Sequence, residues 1–228
     1  MGAIQQVLAS YGASVPPLPA GVTARWSTQN LAGSDGDLIA TLEDLIGTND
    51  GTAAGSARAT LKTGANGLNG YPVLRFDGVA NAYDLTSFIA QTNTWSIVCA
   101  IKRIGTEASP ISNDSFVPSL VRTTTDIVVS DQTGYALCAN AATGWEILAA
   151  SCNNGSRLLY RNGVAVTVGA NVVFVSLAPF RYIGKRQSAG EYSSMDLADS
   201  VLYAGTALSA ADLLAASAHV NATWGGVY

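Results

Sequence analysis

The sequence holds one histidine, His219, and three cysteines, Cys99, Cys138 and Cys152. A single histidine excludes a histidine-rich metal centre within one chain, and it leaves one candidate base for a Ser-His-Asp or Cys-His arrangement. The cysteines are scattered with no Cys-x-x-Cys pair, so zinc-ribbon and thioredoxin-type spacings are absent. Their odd number rules out a complete intrachain disulfide framework, and they read as buried thiols in strands. The four glutamates, Glu43, Glu107, Glu146 and Glu191, form no Glu-x-Asp or Glu-x-Asp-x-x-Glu run. A glycosidase needs two carboxylates facing each other across the scissile bond, and two on one strand share a face only at even spacing. Glu43 and Asp44 are adjacent, and Asp126 and Asp131 are an odd distance apart across a turn signal. A hydrolase would therefore need distant carboxylates brought together by folding, such as Asp126 and Glu146. No Gly-x-Ser-x-Gly, phosphate-binding glycine loop or His-Glu-x-x-His is present. The expectation is a protein that is not an enzyme.

Whatever the chain binds must be positioned by elements that the composition constrains. Its 228 residues suffice for one well-buried domain, and 48 % are hydrophobic. Charged residues make up 12 %, about half the usual share. With 12 Lys and Arg against 16 Asp and Glu, the net charge is -4. That balance argues against nucleic-acid binding through phosphate neutralisation and against a polybasic membrane surface. The first residues lack a basic segment followed by an apolar one, and no apolar run approaches the ~20 residues of a membrane span. The expectation is a protein made and folded in a reducing cytosol.

Short apolar stretches alternate with turn clusters along the chain, which is an all-β pattern. Strands are expected over Val22 to Trp26, Tyr71 to Phe76, Trp95 to Ile101, Trp145 to Cys152, Leu158 to Tyr160, Val164 to Val168, Val172 to Val175, Phe180 to Ile183 and Leu197 to Tyr203. Trp95, Ile97, Cys99 and Ile101 share one face of their strand, with Ser96, Val98 and Ala100 on the other. Asn162-Gly163 supplies the two positive φ angles of a type I′ hairpin turn. One helix is expected from Ala210 to Thr223, with Ser209 as N-cap, Asp212 three residues on, and Leu213, Val220 and Trp224 on one face. His219 lies on this helix beside the apolar face and reads as a packed or surface side chain. Pro16-Pro17 and Pro19 set residues 1–19 apart as an arm preceding one domain over residues 20–228.

The run Asp35-Gly36-Asp37 to Gly47 resembles the opening of concanavalin A-like lectin/glucanase domains of the laminin-G-like group, with Leu42 where that group often has Trp. Val73-Leu74-Arg75-Phe76-Asp77-Gly78, the Trp145 to Gly163 stretch, Tyr182-Ile183-Gly184, Leu197 to Tyr203 and Leu208-Ser209 to Trp224-Gly225 resemble that group's later motifs in order and spacing. The resemblance implies an all-β fold, a two-sheet antiparallel jelly-roll sandwich with one C-terminal helix and a short N-terminal arm. It implies no enzyme, because glucan-cleaving members carry the carboxylate strand that this chain lacks. Trp26, Arg75, Phe76, Tyr160, Tyr203 and Trp224 fall at scaffold positions, and Arg75 is expected to pair with Asp44 or Asp77. The low charge, the many Ala, Gly, Ser and Thr residues and the short arm are similar to stand-alone bacteriophage virion proteins of this fold.

That resemblance implies a tail, receptor-binding or head-decoration component of the virion. The arm would pack on its own domain or contact other virion proteins or further copies of the chain. The ligand would be a surface polysaccharide, and neither nucleic acid nor membrane is an expected partner. A purely structural decoration module is the alternative. Carbohydrate sites combine an aromatic platform with planar polar groups. The candidates are Trp145, after the loop Asn140 to Gly144, Tyr192 beside Glu191 in a polar loop, and Tyr83 just beyond the Asp77-Gly78 turn. No cofactor is expected. Related domains often bind calcium through loop carboxylates, for which Asp77 and Asp84 are the candidates, with Asp114 and Asp131 also available.

Overall fold

The computed structural model describes residues 14–90, 92–112, 119–123, 126–131, 134–139, 144–169, 178–186 and 191–228. The expected strand at Val172 to Val175, the loop residues Asn140 to Thr143 and Asp114 lie outside these residues.

The described chain is an antiparallel β-sandwich with one α-helix. Its first layer is a nine-stranded sheet. The last strand in sequence, Ser194–Ala204, lies between Thr94–Arg103 and Gly70–Asp77, and it also pairs with the first, Ala24–Ser27. Trp145–Asn153 and Ser156–Arg161 extend the sheet on one side, and Ala59–Gly64 and Leu38–Ile39 on the other. The second layer comprises two four-stranded sheets. One orders Gly134–Ala139, Asp126–Asp131, Ser119–Thr123 and Glu107–Ala108; the other orders Phe180–Ile183, Tyr83–Ile89, Gly51–Thr52 and Thr41–Leu42. A bridge between Ser112 and Tyr182 joins them.

The alternation in the sequence sorts the side chains into two cores. Trp95, Ile97, Cys99 and Ile101 point between the layers with Trp26, Leu74, Phe76, Leu148, Leu197 and Leu202. There they meet Tyr83, Leu85, Leu120, Ile127, Phe180 and Ile183 of the second layer. Val98, Ala100, Ile147, Ala149, Val201 and Tyr203 point outward, and the Ala210–Thr223 helix covers them with Leu213, Ala216 and Val220. Both faces of the central strands are thus buried, which accounts for their near-continuous apolar runs. Ser209 accepts a hydrogen bond from the Asp212 N–H and returns one to the Asp212 carboxylate at 2.7 Å, capping the helix. Asn162 and Gly163 have φ of 50° and 73°, and Ser156–Arg161 pairs with Val164–Ala165 across them, as a type I′ turn requires.

The described part of the arm lies against its own domain. Leu18 packs on the helix-side core, and the Pro19 carbonyl accepts from the Tyr203 hydroxyl at 3.4 Å. The Pro16 carbonyl is 2.6 Å from Nδ1 of His219, whose Nε2 is 3.0 Å from Arg25. A carbonyl only accepts and a guanidinium only donates, so His219 is neutral and carries its proton on Nδ1. Arg25 is itself held by Asp199 through two bonds of 3.2 and 2.7 Å, and Trp224 donates to the same carboxylate at 3.1 Å. The lone histidine therefore pins the arm to the helix.

Candidate functional site

Trp145 begins its strand on the helix side of the nine-stranded sheet and is half-buried against the outer core. Register places Lys102 opposite Trp145, Asp196 opposite Lys102, and Arg75 opposite Asp196. All four point outward, because their strand neighbours Leu74, Phe76, Met195, Leu197, Ile101 and Leu148 point into the inner core or alternate with residues that do. The four side chains form one row across four strands, roughly 14 Å from end to end at three strand spacings. Arg75 donates to Asp196 from Nε at 2.7 Å and from a terminal nitrogen at 2.8 Å, a bidentate pair. The expectation that Arg75 pairs with Asp44 or Asp77 is thereby corrected. Asp44 instead accepts from the N–H groups of Arg25, Ile46 and Asn49.

The row is an indole face followed by an ammonium and a fixed guanidinium–carboxylate pair. Such a surface can stack against a sugar ring and hydrogen-bond its substituents. Sequence reasoning found Trp145 and missed the rest. Each partner comes from a different strand, and Asp196 is 121 residues from Arg75. The odd-numbered alternation around Arg75 does signal an outward side chain, but nothing local names what faces it.

Tyr192 and Glu191 fall elsewhere, on a two-stranded ribbon in which Lys185 pairs with Tyr192 and Arg186 with Glu191. Arg186 donates to Glu191 at 2.8 Å and also lies 3.3 Å from Glu107. Burial raises the Glu107 carboxyl above its ordinary value; Arg186 opposes that rise and Glu191 adds to it. Lys185 folds back over the Tyr182 ring, 3.9 Å from its centroid, and Arg181 sits 4.7 Å over the Phe88 ring. Gly184 makes this fold possible. Its φ is +82°, and a Cβ there would collide with the Phe76 ring.

Tyr83 is no loop platform. It is fully buried between the layers, edge-on to Phe76, with its hydroxyl donating to the Ile39 carbonyl at 2.7 Å. Burial raises its hydroxyl pKa, and no ligand can reach the ring. The alternation of Tyr83 and Leu85 with Asp84 and Thr86 carried that signal.

Asp77 caps its own turn, with one carboxylate oxygen accepting from the N–H groups of Val79, Ala80 and Asn81 at 2.8, 2.9 and 3.1 Å. Burial would raise the Asp77 carboxyl, but these bonds outweigh it and hold it below the ordinary range. Asp84 lies on the outward face of Tyr83–Ile89, opposite Tyr182. Among the described residues no group of three or more His, Cys, Asp or Glu side chains could hold a metal ion, so Asp77 and Asp84 are not joined by further ligands of this kind.

Glu146 points the other way from Trp145, into the sandwich. Its two oxygens accept from Arg122 at 2.9 Å and Arg161 at 2.8 Å, and it is 1 % exposed. Arg122 is fully buried and also donates to the backbone carbonyls of Thr123 and Asp126. A carboxylate enclosed by two guanidinium groups is not presented to a glycosidic oxygen.

Comparison with known proteins places this geometry in a fold. No protein-family model matches the chain, and no curated protein matches it in sequence. It is similar to domain 4 of AbnA, an extracellular arabinanase from Geobacillus stearothermophilus solved with arabinotriose. The two are 16 % identical with a TM-score of 0.59, over 86 % of this chain and 98 % of that one. It is also similar to Trypanosoma rangeli sialidase, at 12 % identity and a TM-score of 0.54, over 98 % of this chain. The chain spans 39 % of that sialidase's length. At these identities the likeness is one of fold: a sheet-rich sandwich consistent with the jelly-roll class.

Proposed function

We propose that the chain is a non-enzymatic, carbohydrate-binding β-sandwich of a bacteriophage virion, in a tail, receptor-binding or head-decoration role, that attaches to surface polysaccharide. The observation that carries the binding reading is the outward row of Trp145, Lys102, Asp196 and Arg75, an aromatic platform followed by fixed polar groups. The likeness to a domain solved with arabinotriose supports it at the level of fold. The enclosure of Glu146 by Arg122 and Arg161 supports the non-enzymatic part, since the distant carboxylate pair in the sequence would have needed that side chain exposed. The virion assignment is supported by the low charge, the small-residue composition and the arm. The arm is the proposed contact with other virion proteins or further copies of the chain, and neither nucleic acid nor membrane is a proposed partner.

A glycan array combined with whole-cell binding tests the reading. Trp145→Ala is expected to weaken binding by about 1–3 kcal/mol, the range for a well-used aromatic anchor. Binding to no glycan or cell by the intact protein would move the reading to a purely structural decoration module. Reducing-end release from a polysaccharide panel would overturn its non-enzymatic part.

A further inference from the structure

The groups in the Trp145 row differ in how far the protein already satisfies them. Asp196 is 1 % exposed, and both of its oxygens are taken by the Arg75 guanidinium. Lys62, further along the same face, lies 3.9 Å from Asp35. Lys102 stands between Trp145 and Asp196, and among the described residues it makes no side-chain hydrogen bond or ion pair. The carboxylate nearest to it in register is neutralised from the far side by Arg75. The row thus presents one uncommitted ammonium beside a half-exposed indole.

On the reading of this face as a saccharide site, we infer that its ligands are anionic saccharides. Trp145 stacks on a sugar ring, and Lys102 donates to a carboxylate or sulfate substituent of that ring or its neighbour. The physical ground is the exchange that binding requires. Lys102 is half-buried, and a lysine of this kind keeps its ammonium hydrated at the end of a buried stem; a neutral sugar hydroxyl returns little when it displaces that water. An anionic oxygen makes a charge-assisted hydrogen bond instead, which is worth about twice a neutral one. Arg75 acts as a positioning residue: by holding Asp196 in a bidentate pair, it keeps that carboxylate from capturing Lys102.

The test measures binding of the intact protein to immobilised polygalacturonate, dextran sulfate and neutral dextran, at low and high salt. The variants are Lys102→Gln, Lys102→Arg and Trp145→Ala. At least one anionic polymer is expected to bind about tenfold or more tightly than dextran, with the advantage shrinking in high salt. Lys102→Gln is expected to remove most of that advantage, and Lys102→Arg to keep most of it. Preference for polygalacturonate identifies the carboxylate form of the ligand, and preference for dextran sulfate the sulfate form. If dextran binds as well as both anionic polymers and Trp145→Ala weakens all three alike, the anionic inference is overturned while the saccharide site stands. If anionic binding ignores both Lys102 and Trp145, the inference is overturned. Binding to none of the three, with none on the glycan array, overturns the inference and the saccharide site together.

Discussion

The Arg122–Glu146–Arg161 triad allows a sharp stability test. Glu146→Gln keeps the shape of the side chain and removes only its charge. Arg122 is fully buried, so the variant takes the Glu146 charge away from a guanidinium inside the sandwich. Breaking a buried pair in this way costs about 3–5 kcal/mol. For a domain of this size each kcal/mol moves Tm by about 2–4 °C, so the variant should melt roughly 6–20 °C lower. Arg161→Ala should cost less, about 1 kcal/mol or below, because its side chain is 31 % exposed and water screens the pair. Replacing both buried partners, Arg122→Met with Glu146→Leu, should recover most of the loss, since the buried guanidinium and carboxylate leave together and the charge left behind, on Arg161, is 31 % exposed and reaches water. Urea denaturation of the wild type, Glu146→Gln, Arg161→Ala, the singles Arg122→Met and Glu146→Leu, and their double mutant measures each term, and the double mutant set against its two singles gives the coupling. A Glu146→Gln protein within about 1 kcal/mol of wild type would refute the reasoning. So would a double mutant as unstable as the single losses summed.

Two further outcomes follow from local geometry. Burial lowers the pKa of His219, and Arg25 lowers it further, against an opposing contribution from the Pro16 hydrogen bond. A lowered folded-state pKa means that the unfolded chain takes up the proton first. The stabilisation is therefore complete above the unfolded value near 6.5 and is lost as pH falls below it, toward the lower folded value. The Leu18 methyl and His219 ring NMR signals are expected to titrate together over that window in wild type; an unchanged Leu18 signal would show that the arm is held without His219. Gly184→Ala is expected to cost about 2–5 kcal/mol, because it combines a left-handed backbone with a collision against the buried Phe76 ring. A thermal melt within a degree or two of wild type would contradict that.

Local features were readable from the sequence. Asn162-Gly163, the alternation from Trp95 to Ile101 and the Ser209 cap each state their structure within a few residues, because turn chemistry and periodicity act over that range. The site was readable only where one residue advertises itself, as Trp145 does. Lys102 and Arg75 look like ordinary strand cations until the register of four strands is set. That register is fixed by pairings 43, 94 and 121 residues apart. Tyr83 shows the opposite error: its neighbours Asn81 and Asp84 suggested a polar loop, yet the side-chain period of two puts the ring between the layers. The partner of Arg75 was misjudged for the same reason, since nearness in sequence favoured Asp77 and pairing across the sheet favoured Asp196.

The place of the Ser194–Ala204 strand at the heart of the larger sheet has a kinetic consequence. It joins Thr94–Arg103 to Gly70–Asp77 and receives Ala24–Ser27, so contacts spanning up to 184 residues depend on it. A chain emerging from the ribosome at about 5–20 residues per second holds two unpaired strand edges until this segment appears. Those edges are open to pairing with other nascent chains, and that of Thr94–Arg103 is apolar on both faces over most of its length. The large sequence separation of these pairings also makes closure slow. Folding yield should thus depend on how soon the last strand is delivered, and less on how stable the finished sandwich is.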